Sequence, residues 1–306
     1  MITNNRMQAV KQSTPRKHPS RTCRLLPLLG LVLTGLAWGS CSETGLQLQI
    51  LGSGGPGDSD GRASSAYLLW RDGKSRVLVD AGSSVKDRFF SADGVHSDLQ
   101  LIALSHLHPD HSGGLPTLMW PQNGTFTVAG PAAGGGFPDI RTFIDRLFGE
   151  EGAYPVFVGR VNIDMLVVDP GPSTPVEVWR EDGLVLTALA VPHANVPTLG
   201  YRFDLGDSSI VFASDQIGTN PEFIDFIRDV DVLVIHLAVP EDVSAALAPV
   251  HAKPSVWGEM ATAAGVGRVV ASHYPPNSEA ALAILRDSYA GPVVLGEDLM
   301  CIALSP

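Results

Sequence analysis

Apolar and polar residues alternate from Leu46 to Leu51, the period-two pattern of a strand with one face buried. Ala66–Trp70 and Val77–Asp80 are two further short apolar runs, set around the turn pair Asp72-Gly73. Leu101–Leu104 is a fourth, and it ends where a histidine-rich run begins. The period then changes. Ile140, Phe143, Ile144, Leu147 and Phe148 recur at three- and four-residue steps, so Ile140–Phe148 is predicted to be a helix. A helix is also expected from Ser112 through Trp120, whereas Gly149 to Gly183, rich in Gly and Pro, shows neither period. The second half returns to the same plan. Strands are expected at Leu184–Val191, Leu199–Phe203, Ser209–Ala213, Val232–His236, Arg268–Ser272 and Val293–Leu295. Helices are expected at Pro221–Arg228, Ser255–Ala264 and Glu279–Ser288. Strands first, then alternating strands and helices, imply an α/β fold whose two halves pack sheet to sheet with helices outside.

The chain has 306 residues, 44% hydrophobic and 17% charged, ample for one large globular domain or two modest ones. The first forty residues read differently from the rest. Arg6, Lys11, Arg16, Lys17, Arg21 and Arg24 form a basic leader without an acidic residue, and Leu25 to Ala37 is apolar or neutral. That apolar stretch is too short for a membrane span. Small residues and Cys41 follow, which is the layout of an export signal. An export signal is therefore expected over residues 1–40 and a globular domain over 41–306, located in the periplasm or cell envelope. Cys41 after Gly-Ser resembles a bacterial lipobox, whose cysteine is acylated, although Trp38 stands where Leu is usual. Cleavage after Gly39 is the alternative. With acylation, Ser42 points to outer-membrane sorting, and a lipid on Cys41 is the one expected membrane attachment. Cys301 is then left without a partner and reads as a small buried apolar residue.

Loss of the leader changes the charge. It removes six of the 21 basic residues and none of the 32 acidic ones, leaving fifteen against 32, a net of −17. A polyanion binder carries a basic footprint. The opposite balance excludes nucleic acid as the expected substrate and leaves a small molecule. Nothing in the sequence sets an oligomeric state.

The candidate chemistry is concentrated in His106-x-His108-x-Asp110-His111, joined later by His193, Asp215 and His273. Five of the nine histidines fall in that set. Imidazole and carboxylate are poor core fillers and natural metal ligands, and no Cys-x-x-Cys pair competes with them. His106, Asp215, His236 and His273 each lie at or just beyond the end of an expected strand, and His193 closes another, so they converge on one sheet edge.

With Val79-Asp-Ala-Gly82, Val-Pro-His193, Ala-Ser-Asp215 and Ala-Ser-His273 added, the chain from Leu46 onward resembles the metallo-β-lactamase superfamily. Leu51-Gly-Ser-Gly-Gly55, Ser64-Ser-Ala-Tyr67 and His251 make it most similar to the ribonuclease Z-like branch. The resemblance implies a four-layer αβ/βα sandwich and two divalent ions, zinc first, with iron or manganese accepted by the same donors. It implies that His106, His108 and His193 hold one ion, that Asp110, His111 and His273 hold the other, and that Asp215 bridges them. Water between the ions loses its proton near neutral pH and becomes the nucleophile, with Asp110 orienting it. Asp80 supports the metal loop by hydrogen bonds. His251 is implied as a general acid or oxyanion donor, but Leu237 stands where relatives often carry a supporting Glu. His236 reads as a buried, hydrogen-bonded structural residue in preference to a catalytic one. Tyr201 and Tyr274 are core or edge residues first, cleft residues second.

Spacing narrows the chemistry further. The bridging Asp215 is absent from the two-metal site of true zinc β-lactamases. The 22 residues from His193 to Asp215 leave no room for a tRNA-binding arm. The signature around His251 favours a phosphodiesterase of small substrates; a lactonase of the acyl-homoserine type, or another ester or β-lactam hydrolase, is the alternative. A non-catalytic metal-binding envelope protein would have an incomplete ligand set, and no ligand is missing. Specificity is expected to lie in Gly149–Gly183 and in the loops near Gly130–Phe137 and Pro240–Pro249.

Overall fold

The computed structural model describes residues 37–38, 41, 44–57, 60–171 and 174–304. The leader expected over residues 1–40 lies outside the described residues apart from Ala37–Trp38, which form a short strand. In chain order the strands are β1 (Ala37–Trp38), β2 (Leu46–Gly52), β3 (Ala66–Arg71), β4 (Lys74–Val79), β5 (Leu101–Ala103), β6 (Gly124–Pro131), β7 (Val161–Val168), β8 (Val176–Glu181), β9 (Leu184–Ala190), β10 (Leu199–Leu205), β11 (Ser208–Phe212), β12 (Val232–His236), β13 (Arg268–Ser272), β14 (Val293–Leu295) and β15 (Met300–Ala303). The α-helices are α1 (Val85–Ser91), α2 (Pro109–Ser112), α3 (Leu115–Met119), α4 (Ile140–Phe148), α5 (Glu222–Phe226), α6 (Pro254–Ala264) and α7 (Glu279–Ser288). None of the described helices is long and apolar enough to cross a membrane.

Two sheets result, ordered β1-β15-β2-β3-β4-β5-β6-β7 and β14-β13-β12-β11-β10-β9-β8. Each is antiparallel where hairpins connect neighbours and parallel where a helix intervenes, as in β4-β5-β6 and β11-β12-β13. Alternation along each strand builds three apolar layers. Leu48, Ile50, Tyr67 and Val79 of one sheet meet Leu186, Tyr201, Phe212 and Val234 of the other in the central core. The opposite faces take helices: Leu68, Leu78 and Ile102 pack with Phe89, Leu115 and Ile140, and Val211, Leu233 and Ile235 with Phe223, Trp257 and Leu285. This is the expected four-layer αβ/βα sandwich.

Three expectations are corrected. The helix expected from Ser112 to Trp120 is two helices, α2 and α3, because Gly113-Gly114, poor helix formers, interrupt it. Gly149–Gly183 is not irregular throughout: it contains β7 and β8, the outer strands of the two sheets. Both are partly exposed along their length, so neither carries a sharp apolar alternation, and pairing with β6 and β9 defines them. Cys301 is not unpaired. It forms a disulfide with Cys41, with Cα atoms 5.8 Å apart. A sulfur bonded to Cys301 is not free to form the thioether that a lipid on Cys41 would need. On the same side of the sheet, β1 pairs with β15 through Ala37 opposite Cys301.

Candidate metal centre

Strand ends of both sheets deliver the site. The chain leaves β5 through Leu104-Ser105, and His106, His108, Asp110 and His111 follow before and within α2, whose first turn tolerates Pro109. From the second sheet come His193 after β9, Asp215 after β11, His236 at the end of β12 and His273 just after β13. His251 precedes α6. Seven of the nine histidines are thereby brought together.

The loops are tight. Asp80, Ser214 and His273 sit at φ 58°, 59° and 49°, left-handed backbone that is costly for residues other than glycine and that clusters at functional sites. Gly82 lets the loop after β4 touch the metal loop, since a Cβ there would lie 2.2 Å from the Asp110 carbonyl oxygen.

Two donor groups share one carboxylate. In the first, His106 Nε2 is 3.0 Å from His108 Nδ1, and His193 Nε2 is 3.4 Å from the same atom. Asp215 Oδ2 lies 3.7 Å from His106 Nε2 and 3.6 Å from His193 Nε2. In the second, His111 Nε2 is 3.3 Å from His273 Nε2 and 3.6 Å from both Asp110 Oδ2 and Asp215 Oδ2, while Asp110 Oδ2 is 3.2 Å from His273 Nε2. Donors holding a zinc ion tetrahedrally at about 2.0–2.1 Å are roughly 3.3 Å from one another. Both groups match that spacing, and bare imidazole nitrogens have little other reason to face each other in a buried cluster. The residues present fit a pair of divalent ions.

The ligands are themselves held. Asp80 accepts from the Ser105 amide at 2.7 Å, the Ser105 hydroxyl at 3.0 Å and His111 Nδ1 at 2.7 Å, as its expected supporting role requires. His193 Nδ1 donates to the Val250 carbonyl at 2.7 Å. His236 lies within ligand range of His111, Asp215 and His273, but its Nδ1 is 2.7 Å from Asp215 Oδ1. A carboxylate only accepts, so that nitrogen carries the proton and has no lone pair for a metal. Asp110 fills the position instead. His236 has the buried, hydrogen-bonded place expected for it, with Nε2 3.2 Å from the Tyr67 hydroxyl.

Charge follows this geometry. Burial raises the Asp215 carboxyl, yet His273, His111 and His236 around it hold it well below the usual range. Asp110, raised by burial but bonded to His273, is lowered to about 2. Burial lowers His111, but Asp80 and Asp215 on either side bring it well above its ordinary value. Burial, then the neighbouring imidazoles, depress His106. His251 falls to about 4, chiefly through burial, and its Nδ1 is 3.5 Å from Asp215 Oδ1 without a hydrogen bond. Leu237, where a Glu is usual, is packed in the helix-side core and offers no carboxylate.

Tyr201 is a core residue whose hydroxyl donates to the Leu104 carbonyl at 2.9 Å. Tyr274 borders a cleft beside His251 and His273, with its hydroxyl turned to the Gly296 carbonyl at 2.9 Å. Of the loops expected to set specificity, Pro240–Pro249 supplies Leu247 to that cleft and Gly130–Phe137 places Phe137 against His108 at 5.6 Å. Tyr67 and Ser105 support the site without being among its expected residues. Tyr67 lies in the Ser64-Ser-Ala-Tyr67 motif, and Ser105 adjoins His106, so position in a motif was the available signal.

A family profile described as Beta-lactamase superfamily domain matches residues 75–274. A ribonuclease Z of Mycobacterium sp. (strain KMS) is 28% identical over 290 residues, covering 85% of this chain and 97% of the relative. The fold is similar to that of the metallo-beta-lactamase fold protein YhfI from Bacillus subtilis, with TM-score 0.69, 21% identity, and 84% and 98% of the two chains covered. The short form of human tRNase Z gives TM-score 0.63 at 19% identity, over 85% and 100%.

Proposed function

Because the chain belongs to the beta-lactamase superfamily, we propose that it is a binuclear metal-dependent hydrolase acting on a small phosphodiester, with zinc as the natural ion. The observation that carries this reading is the pair of donor groups meeting on Asp215 Oδ2. His106, His108 and His193 would hold one ion and Asp110, His111 and His273 the other. When bound, the pair supplies Lewis acidity toward phosphoryl oxygens and an activated water. The chain's own residues supply the rest. Asp110, ionised, accepts a proton or hydrogen bond from the attacking water. His251, neutral, donates a hydrogen bond toward the leaving oxygen, the role left to an imidazole with no supporting carboxylate. Asp80 and His236 fix the orientation of His111 and Asp215.

Two observations support phosphodiester over lactone or β-lactam. Attack on a lactone carbonyl calls for a donor to the oxyanion, and here the Tyr201 and Tyr274 hydroxyls are committed to backbone carbonyls. The shared carboxylate separates the site from that of the true zinc β-lactamases. The net charge of −17 without the leader disfavours tRNA as the substrate. The Cys41–Cys301 disulfide supports export, since such bonds persist in oxidising compartments. Turnover of bis(p-nitrophenyl) phosphate by zinc-loaded protein, set against an acyl-homoserine lactone and a chromogenic cephalosporin, tests the proposal. Preference for either of the latter, or fewer than two ions bound per chain, overturns it.

A further inference from the structure

A cavity of about 240 Å³ opens beside the metal centre, with His251 and His273 in its wall. Apart from those two rings and Tyr274, it is lined by Gly, Ala, Val, Leu and Pro, including Pro56, Val239, Leu247 and Pro275. Among the described residues, no Lys, Arg, Asp or Glu lines it. Behind Tyr274, Arg62 stacks on the ring at 3.9 Å, but its guanidinium is consumed by Asp60 and by the Ser53 and Tyr274 carbonyls. The Tyr274 hydroxyl is committed to Gly296. Past the two imidazoles, an anionic or zwitterionic group entering here loses water and meets no charged side chain among the described residues, which is unfavourable. Leu247 is 45% exposed, a large apolar side chain that the core leaves uncovered at the rim. The turn carrying it also carries His251, whose amide bonds to the Leu247 carbonyl at 3.2 Å. The cavity is smaller than the roughly 300 Å³ at the lower end for drug-sized ligands, so a single ring or a short alkyl group is the size that fits.

We propose that this cavity receives an uncharged, apolar leaving group, so that the substrates are phosphodiesters of a simple phenol or alkyl alcohol and not nucleotides. The inference rests on the phosphodiesterase reading above and names its substrate class. Water oxygen bonds to phosphorus as the bond from phosphorus to the departing oxygen breaks. The electron pair stays on the departing oxygen, which takes one proton, and the second proton of water is released as the diester monoanion becomes a monoester dianion. His251 stands at the wall where that oxygen emerges.

The test compares methyl 4-nitrophenyl phosphate with its 3-carboxy-4-nitrophenyl counterpart, whose leaving group has similar acidity but carries a charge. Zinc-loaded protein is used, and binding of free 4-nitrophenol is measured by calorimetry alongside turnover. The expected result is a kcat/KM at least tenfold lower for the carboxylated ester. Leu247→Arg, at an exposed position, narrows or reverses that ratio, and Ala238→Phe, which fills the cavity, abolishes 4-nitrophenol binding. Equal turnover of the two esters, unchanged in both variants, overturns the cavity assignment and leaves the phosphodiesterase reading intact. No turnover of either ester, with 4-nitrophenol binding that Ala238→Phe removes, overturns the phosphodiesterase reading and keeps the cavity. Neither turnover nor binding overturns both.

Discussion

His236 Nδ1 and Asp215 Oδ1 are 2.7 Å apart, and that contact decides which oxygen of Asp215 is left for the histidines of the site. Oδ2, the free oxygen, is the one placed 3.6–3.7 Å from His106, His111 and His193. His236 is itself fixed by Tyr67 and by stacking on His273 at 4.4 Å. His236→Phe keeps the ring and removes the donor. It is expected to weaken zinc affinity about 10–100-fold, the usual cost of losing a partner that orients a ligand. Chelator competition measures this without reference to turnover; unaltered affinity would make His236 a packing residue.

His251 gives the metal-free protein a pH dependence. Its imidazole gains a proton near pH 6.5 when exposed but only at about 4 in the fold, because it is buried. Between those values the unfolded chain binds the extra proton, so stability is full above about pH 6.5 and falls as pH drops toward 4. At about 1.4 kcal/mol per pH unit the His251 share is roughly 2–4 kcal/mol. Urea unfolding in EDTA at pH 7 and pH 5 should show about 2 kcal/mol of that fall, and His251→Gln should remove it.

Gly82→Ala sets a methyl group 2.2 Å from the Asp110 carbonyl and 2.7 Å from Ser64 Cβ. The loop carrying Asp110 and His111 must then move. A cost of about 1–3 kcal/mol in stability is expected, typical of overpacking. Zinc stoichiometry, read by metal analysis after dialysis, should fall below two per chain.

The disulfide joins residues 260 apart in sequence. Cys301→Ser, or a reducing agent, is expected to lower unfolding free energy by about 2–5 kcal/mol. Denaturation curves with and without dithiothreitol measure it, and the variant should be insensitive to the reagent.

Much of this was legible in the residues. Strong alternation at Leu46–Leu51 and the helical period of Ile140–Phe148 translate directly into β2 and α4, since burial of one face needs no long-range information. The dense histidine run likewise declares its candidate ligands, whose side chains meet with His193, Asp215 and His273. β7 and β8 are partly exposed at the sheet edges, so their polar positions resemble loop, and only pairing identifies them. The disulfide was hidden because Cys41 and Cys301 are brought together by β15 lying next to β2, a contact across nearly the whole chain. Tyr67 was hidden for a similar reason: its role depends on β12 crossing from the opposite sheet.

The provenance of the ligands has a consequence for folding. Four come from the loop after β5 in the first sheet and three from strand ends of the second. Neither sheet alone can assemble either donor group. With ions held as proposed, ion affinity and docking of the two sheets would be one linked equilibrium, in which each bound ion clamps the sandwich shut. A chelator acts on such a protein as a mild denaturant aimed at the seam between its halves.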